Sequence, residues 1–335
     1  MTTVSILGAS GYVGGELLRL LAAHPSFDVG PCFANSNAGQ PMANLHPHLS
    51  LAYPGKSFAP FDISLLQGSD LIFAALPHGE TQRLADALTG SGARIVDLGA
   101  DFRLNSAEDF EAWYGEPHQR PDLLGQFIYG LPELHRDRIR NARWVASPGC
   151  YPTAASLALK PLIDAGVVES TGVIVDAASG VSGAGRAASA GTHYCGVEGS
   201  FRAYGLTRHR HTAEMEMNTG AEVLFTPHLM ATSRGILATC YARATGKHDP
   251  LAILRDAYAD EAFVHVGEAL PETKWATGSN AAFLSARFDK RTGTVVALAA
   301  IDNLGKGAAG QMIQCANLMF GLDETAGLSR VGVYP

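Results

Sequence analysis

The stretch ASPGCYPTAASLAL, Ala146 to Leu159, places a cysteine between a Pro-Gly turn and a run of small and apolar residues that fits a helix start. Pro152 suits the first helical turn, because the N–H it lacks would be unpaired there in any case. A thiol at or just before a helix N-terminus meets partial positive charge, which favours the thiolate and lowers its pKa. Cys150 is therefore a candidate nucleophile, weighed against the commoner reading of a lone cysteine as an inert core residue. A nucleophilic thiol needs a base and donors for an oxyanion. GLTRHRHTAEMEM supplies His209 and His211, flanked by Arg208 and Arg210, and DAASGVSGAGR, Asp176 to Arg186, supplies a glycine-serine loop after a strand. The spacing does not choose between the two histidines as acid/base. Without carboxylate or cysteine ligands at a recognisable spacing, the His-x-His pair is not expected to hold a metal. His46 and His48 in NLHPHLS raise the same question and read as a structural loop.

A second constellation opens the chain. VSILGASGYVGGELLRLLA reads as strand, tight turn and helix, with Gly8, Gly11 and Gly14 in GxxGxxG spacing. Glycine lets the backbone turn sharply, admits a pyrophosphate and packs helix on strand, and the helix N-terminus then faces the phosphates. Ser10, Tyr12 and Val13 lie in the same turn and join the glycines as candidate cofactor-binding residues. The next strand-like run, DVGPCFANSNAGQ, ends in Asn35, Ser36 and Asn37. An NAD site usually offers a carboxylate to the ribose hydroxyls at this place. Hydroxyl and amide groups do not repel a 2′-phosphate, so Ser36 and Asn37 favour NADP. Arg103, in VDLGADFRL, is a candidate for a substrate phosphate or carboxylate, which guanidinium binds bidentately; its structural alternative is an ion pair with Asp97 or Asp101.

The elements that must hold these residues alternate in the first half. Val4 to Leu7, Asp70 to Leu76, Ile95 to Leu98 and Trp144 to Ala146 read as strands, with helical spacing over Tyr12 to Ala23 and Glu80 to Leu88. Such alternation predicts an α/β fold, a doubly wound parallel sheet of Rossmann type. After Pro152 the strand-like runs Val173 to Ala177, Ile236 to Ala242, Ala281 to Phe288 and Thr294 to Ile301 follow with few helices, which predicts an α+β domain on a mixed or antiparallel sheet. Ala308 to Phe320 has helical spacing and is a candidate to return to the first domain.

At 335 residues and 47% hydrophobic, the chain is long enough for two domains. Its net charge of −7 gives no basic face for nucleic acid or for an anionic membrane. No apolar run reaches the roughly 18 residues that a spanning helix needs, and MTTVSILGAS lacks the basic start and cleavage site of a signal peptide. A cytoplasmic protein is expected. Five scattered cysteines without CxxC spacing argue against a disulfide framework or a thiolate zinc site.

Taken together, GASGYVGGELLRLL, VDLGADFRL, IYGLPEL, SPGCYPTAA, SGVSGAGR, HRHTAE and DNLGKGAAGQMIQ run in this order from residue 8 to residue 314. The set resembles that of the long-chain N-acetyl-gamma-glutamyl-phosphate reductases, a family related to the aspartate-semialdehyde dehydrogenases and more distantly to glyceraldehyde-3-phosphate dehydrogenase. The resemblance implies an NADP-binding domain over residues 1–149 and 308–335 and a catalytic and oligomerisation domain over 150–307. It implies NADPH-dependent reduction of N-acetyl-gamma-glutamyl phosphate to the 5-semialdehyde, a step of arginine biosynthesis. Cys150 would form a thioester, and His211 or His209 would move the proton. Arg103 and Arg208 would hold the substrate. Ser179, Ser182 and Gly183 would line the site, the last two toward the cofactor, and Asn303, Gly305 and Lys306 would close over it, although Lys306 also fits a surface charge at a helix start.

No metal is implied, and members are usually homodimers or homotetramers. Two departures stand out: Asn37 occupies the place where the family often carries arginine, and Ala213 replaces the proline of HRHTPE. Rival readings are aspartyl-phosphate reduction, reduction of a carrier-linked aminoadipyl phosphate, and a non-catalytic dinucleotide sensor.

Overall fold

The computed structural model describes residues 1–334, which fall into two compact units. The first comprises Met1–Pro148 and Ala308–Leu328. Its sheet is built from β1 (Thr2–Leu7), β2 (Phe27–Phe33), β3 (Leu71–Ala74), β4 (Arg94–Asp97), β5 (Ile128–Tyr129) and β6 (Trp144–Ala146) in the order β2-β1-β3-β4-β6-β5. Every pairing is parallel. Because successive side chains point to opposite faces, the strands feed two separate cores. Val4, Ile6, Leu71 and Phe73 join one core, while Leu7, Ile72, Ala74 and Ile95 join the other. Met312, Ile313, Ala316 and Met319 of the helix Gly310–Met319 complete the first of these cores, so the distant C-terminal helix belongs to this sheet. The chain runs outward in both directions from β1 and β3, which makes their C-terminal ends the switch point where ligands of such sheets bind.

The second unit begins at Gly149, runs to Gly307 and takes in the tail from Ser329. That tail departs from the expected span of 308–335 for the nucleotide domain. Its backbone is held by second-unit groups, since Asn280 N–H donates to the Ser329 carbonyl at 2.8 Å and Val333 N–H to the Thr277 carbonyl at 2.7 Å. The sheet contains β7 (Val173–Gly180), β8 (Phe201–Ala203), β9 (Val223–Met230), β10 (Ile236–Arg243), β11 (Val264–Val266), β12 (Ala282–Asp289) and β13 (Thr294–Ile301). Its order is β11-β12-β13-β10-β7-β9-β8, with β11/β12 and β7/β9 parallel and the remaining pairs antiparallel.

One face of this sheet is packed by the helices Cys150–Asp164, His211–Thr219 and Pro250–Ala257. The other shows an alternating row of half-open side chains, among them Ile174, Leu224, Thr239, Tyr241, Val296 and Leu298. Ile174 and Leu224 are partners in register and are 38% and 53% exposed.

The helix Cys150–Asp164 carries Pro161 in its interior. A proline there removes one i→i−4 bond and orphans the carbonyl of Leu157. Tyr258 Oη donates to that carbonyl at 2.8 Å, so the helix continues with its acceptor satisfied. No helix among the described residues is long and apolar enough to cross a membrane.

Candidate active site

Cys150 is the first residue of its helix, capped by Gly149 in an extended conformation. The thiol-bearing residue is half-buried, whereas Cys32, Cys240 and Cys315 are buried. Burial pushes the Cys32 thiol up to about 12, with Lys56 opposing, and holds the Cys240 thiol far above its ordinary range, with Asp176 adding to the shift. Those two behave as core hydrophobes.

Around Cys150 the chain is drawn in tightly. Gly149 N–H donates to Glu214 Oε2 at 2.9 Å, and Glu214 is fully buried. The other carboxylate oxygen lies 3.9 Å from His211 Nε2. A Cβ on Gly149 would fall 2.4 Å from that same nitrogen, so the imidazole rests directly against the residue preceding the thiol. On the far side, a Cβ on Gly307 would lie 2.8 Å from Cys150 Cβ. Only glycine fits at both places.

His209 occupies a different environment. Its ring meets Tyr151, Tyr204 and Phe225 edge-on with centroids 5.2 to 5.7 Å away, and its Nδ1 accepts the His211 N–H at 3.2 Å. Burial, helped by the Arg210 cation, pulls the His209 imidazole down to about 4. It is neutral at working pH and braces the start of the helix His211–Thr219. Tyr204 Oη donates to Tyr151 Oη at 3.1 Å, and Tyr151 Oη donates on to the His228 carbonyl at 3.0 Å. Burial raises both phenols, Tyr204 to about 12, so they remain neutral.

A folded-state value below the unfolded one means that the unfolded chain binds more protons between roughly pH 6.5 and pH 4. His209 therefore contributes stability that is whole above that window and falls away as pH drops through it, by an amount on the order of 2 kcal/mol. Thermal unfolding of His209→Phe is expected to lose less between pH 7 and pH 4.5 than the parent chain does; equal losses would contradict this account.

In the first unit, Gly8 has φ +75° and Gly11 N–H closes the turn on the Gly8 carbonyl at 3.0 Å. A Cβ on Gly8 would fall 2.2 Å from the Ala75 carbonyl oxygen, and one on Gly14 2.4 Å from the Gly8 oxygen. The turn leads into the helix Tyr12–Leu21 at the switch point between β1 and β3. Backbone approaching this closely forms a cradle that side chains would fill, which suits a pyrophosphate.

The chain as a whole is similar to known proteins. Residues 3–142 match the family described as "Semialdehyde dehydrogenase, NAD binding domain", and residues 150–303 match "Semialdehyde dehydrogenase, dimerisation domain". The N-acetyl-gamma-glutamyl-phosphate reductase of Symbiobacterium thermophilum is 48% identical over 347 residues, covering 99% of each chain. That of Pseudomonas syringae is 44% identical over the full length of both. The chain belongs to the N-acetyl-gamma-glutamyl-phosphate reductase family. Among solved structures, aspartate semialdehyde dehydrogenase II of Vibrio cholerae, complexed with ASA, superposes with TM-score 0.71 at 18% identity, covering 96% of this chain and 98% of its own. The Candida albicans aspartate semialdehyde dehydrogenase with NADP gives 0.66 at 13% identity, covering 96% and 98%. At such identities the likeness is one of fold.

Within this reductase, the remaining sequence candidates fall into groups. Ser179, Ser182, Gly183 and Asn303 are brought together, since Asn303 Nδ2 donates to Ser182 Oγ at 2.8 Å and a Cβ on Gly183 would lie 3.0 Å from Ser179 Oγ. Lys306 is fully buried with its ammonium 6.0 Å from the Phe263 ring centroid, which removes the surface-charge alternative. Arg208 is exposed, in a turn whose Thr207 adopts φ 59°.

Arg103 belongs to the first unit, where it is 6% exposed and donates to the Leu98 carbonyl at 2.6 Å. The Asp101 carboxylate is engaged by His78 at 2.9 Å and by the N–H groups of Gly79 and Gln82. Asp97 is fully buried, and burial, with Asp101 adding to it, raises its carboxyl to about 7. Ser36 is exposed and Asn37 half-buried just beyond β2.

Sequence reading passed over Glu214, Gly149, Gly307 and Gly15. For Glu214 a signal was present: it follows His211 by three residues, one helical turn along the same face. Among the described residues, no cluster of three His, Cys, Asp or Glu is arranged to hold a metal.

Proposed function

We propose that the chain reduces N-acetyl-gamma-glutamyl phosphate to N-acetylglutamate 5-semialdehyde with NADPH, releasing phosphate, through a thioester on Cys150. The observation that carries this reading is the thiol at a helix N-terminus, with His211 packed against Gly149 and Glu214 holding both Gly149 and the His211 ring side. In this reading His211 takes the thiol proton and Glu214 stabilises the resulting imidazolium. The thiolate attacks the acyl carbon, the carbon–oxygen bond to phosphate breaks, and phosphate leaves. N–H groups of the first helical turn face the carbonyl oxygen as it gains charge.

Bound NADPH would supply hydride to the thioester carbon. His211 returns its proton to the thiohemiacetal oxygen or departing sulfur, and the aldehyde is released. Ser179 and Arg208 of the second unit line the substrate, and Arg103 is the anion-binding candidate of the first unit. Gly8, Ser10, Gly11, Tyr12, Val13 and Gly14 receive the pyrophosphate, and Ser182, Gly183, Asn303 and Lys306 attend the nicotinamide end. Ser36 and Asn37, with no carboxylate beside them, favour NADP over NAD. The first unit is thus the cofactor domain and the second the catalytic and assembly domain of a cytoplasmic enzyme.

The assay runs in reverse, with NADP, phosphate and either N-acetylglutamate semialdehyde or aspartate semialdehyde. Phosphate-dependent NADPH formation with the acetylated aldehyde is expected; turnover with aspartate semialdehyde alone would reassign the substrate.

The half-open face of the second sheet supports a homo-oligomer. A row containing Ile174, Leu224, Tyr241, Val296 and Leu298 on one face is self-complementary under a two-fold axis, giving a homodimer, and a homotetramer would need a further surface. Light scattering of Leu224→Asp/Ile174→Asp is expected to show a monomer; an unchanged mass would remove this face from the interface.

A further inference from the structure

His46, set aside in the sequence as part of a structural loop, lies directly behind the glycine turn. It joins the short helices Met42–Leu45 and Pro47–Leu49 and is 4% exposed. Its backbone is fixed at both ends, the N–H to the Met42 carbonyl at 2.8 Å and the carbonyl to Leu49 N–H at 2.9 Å. Phe58 meets the ring edge-on at 6.1 Å. From this anchored position Nε2 reaches the Ala9 carbonyl oxygen at 3.1 Å. A carbonyl only accepts, so Nε2 carries the hydrogen and donates. Gly15 is the complement of this arrangement, because a Cβ there would fall 2.5 Å from His46 Cε1.

The consequence lies in the Ala9–Ser10 peptide. Ala9 N–H is already bound to the Phe33 carbonyl at 3.0 Å. With the Ala9 C=O fixed inward by His46, planarity of the trans peptide directs Ser10 N–H to the opposite side. Ser10 is partly exposed and Tyr12 exposed, at the N-terminus of the helix Tyr12–Leu21. A glycine-rich turn is soft, and holding its amides in the bound orientation beforehand lowers the cost of binding. We propose that His46 is a positioning residue for the cofactor pyrophosphate, acting through the Ala9–Ser10 peptide. The proposal rests on the reading of this turn as the dinucleotide site.

Calorimetric titration of the full chain with NADPH and with adenosine 2′-monophosphate, which has no pyrophosphate, tests it in His46→Leu and His46→Gln. Loss of one hydrogen bond with its peptide orientation is worth about tenfold in affinity. The leucine variant is expected to bind NADPH about tenfold more weakly and adenosine 2′-monophosphate as before. Glutamine, whose amide nitrogen can take the place of Nε2, is expected to restore most of the NADPH affinity. Unchanged NADPH binding in His46→Leu, or equal weakening of both ligands, would overturn the proposal. A parent chain that binds adenosine 2′-monophosphate or nothing, and no NADPH, would instead overturn the dinucleotide reading and the proposal with it.

Discussion

Replacement of Cys150 by serine is expected to lower acyl-phosphate turnover by about four orders of magnitude or more, the scale on which enzymes lose activity when a covalent nucleophile is removed. The change is nearly isosteric, so the helix Cys150–Asp164 and its contacts should persist. What is lost is thiolate character, which the helix terminus and His211 support for sulfur and cannot support for a hydroxyl of far higher pKa. The decisive measurement omits NADPH. Mixed with acyl phosphate, the parent chain should release one equivalent of phosphate per site in a burst and gain the acyl mass on the peptide containing Cys150. The serine variant should do neither, yet still bind NADPH. An acyl adduct on another residue, or steady turnover by the variant, would refute the thioester route.

His211→Asn carries the second large effect, about 10²- to 10⁴-fold in kcat/KM, the usual contribution of a positioned acid/base. His209→Gln should cost far less, because burial already holds His209 neutral, with a pKa of about 4, among Tyr151, Tyr204 and Phe225. The pH profile separates chemistry from packing. The parent's kcat/KM should fall on the acid side as His211 gains a proton it must be free to accept, and this limb should vanish in His211→Asn and survive in His209→Gln. A larger loss in the His209 variant, or an acid limb that follows His209, would exchange the two roles.

How legible was this in the sequence? The glycine turn was readable because Gly8 and Gly14 sit where a side chain cannot, and the strand before and helix after them have clear periods. The place of Cys150 at the start of a helix was readable from Pro152 and the apolar run after it. β9 was hidden because Pro227 interrupts its run; in the sheet Pro227 lacks only a donor, and its carbonyl still accepts Tyr204 N–H at 3.0 Å. The two histidines of HRH could not be told apart, since what distinguishes them is the side to which each ring turns, toward Gly149 or toward the aromatic cluster. His46 was read as a loop because its partner, Ala9, is 37 residues away in sequence. Contacts of that kind follow from the folded topology and leave no local period.

The contact between Gly307 and Cys150 also says something about how the chain is threaded. The polypeptide enters the second unit at Gly149, leaves it at Gly307 and returns to it at Ser329, and the first two of these points are close enough for a Cβ on Gly307 to press on Cys150. Topologically, residues 149–307 are an insertion whose two ends meet at a seam. Closing such a piece on itself takes a linker of only a few residues and little loop entropy. Cys150 lies beside both of these ends, so a circular permutation of residues 149–307 cut elsewhere would preserve its surroundings, whereas one that parts these ends would dismantle them.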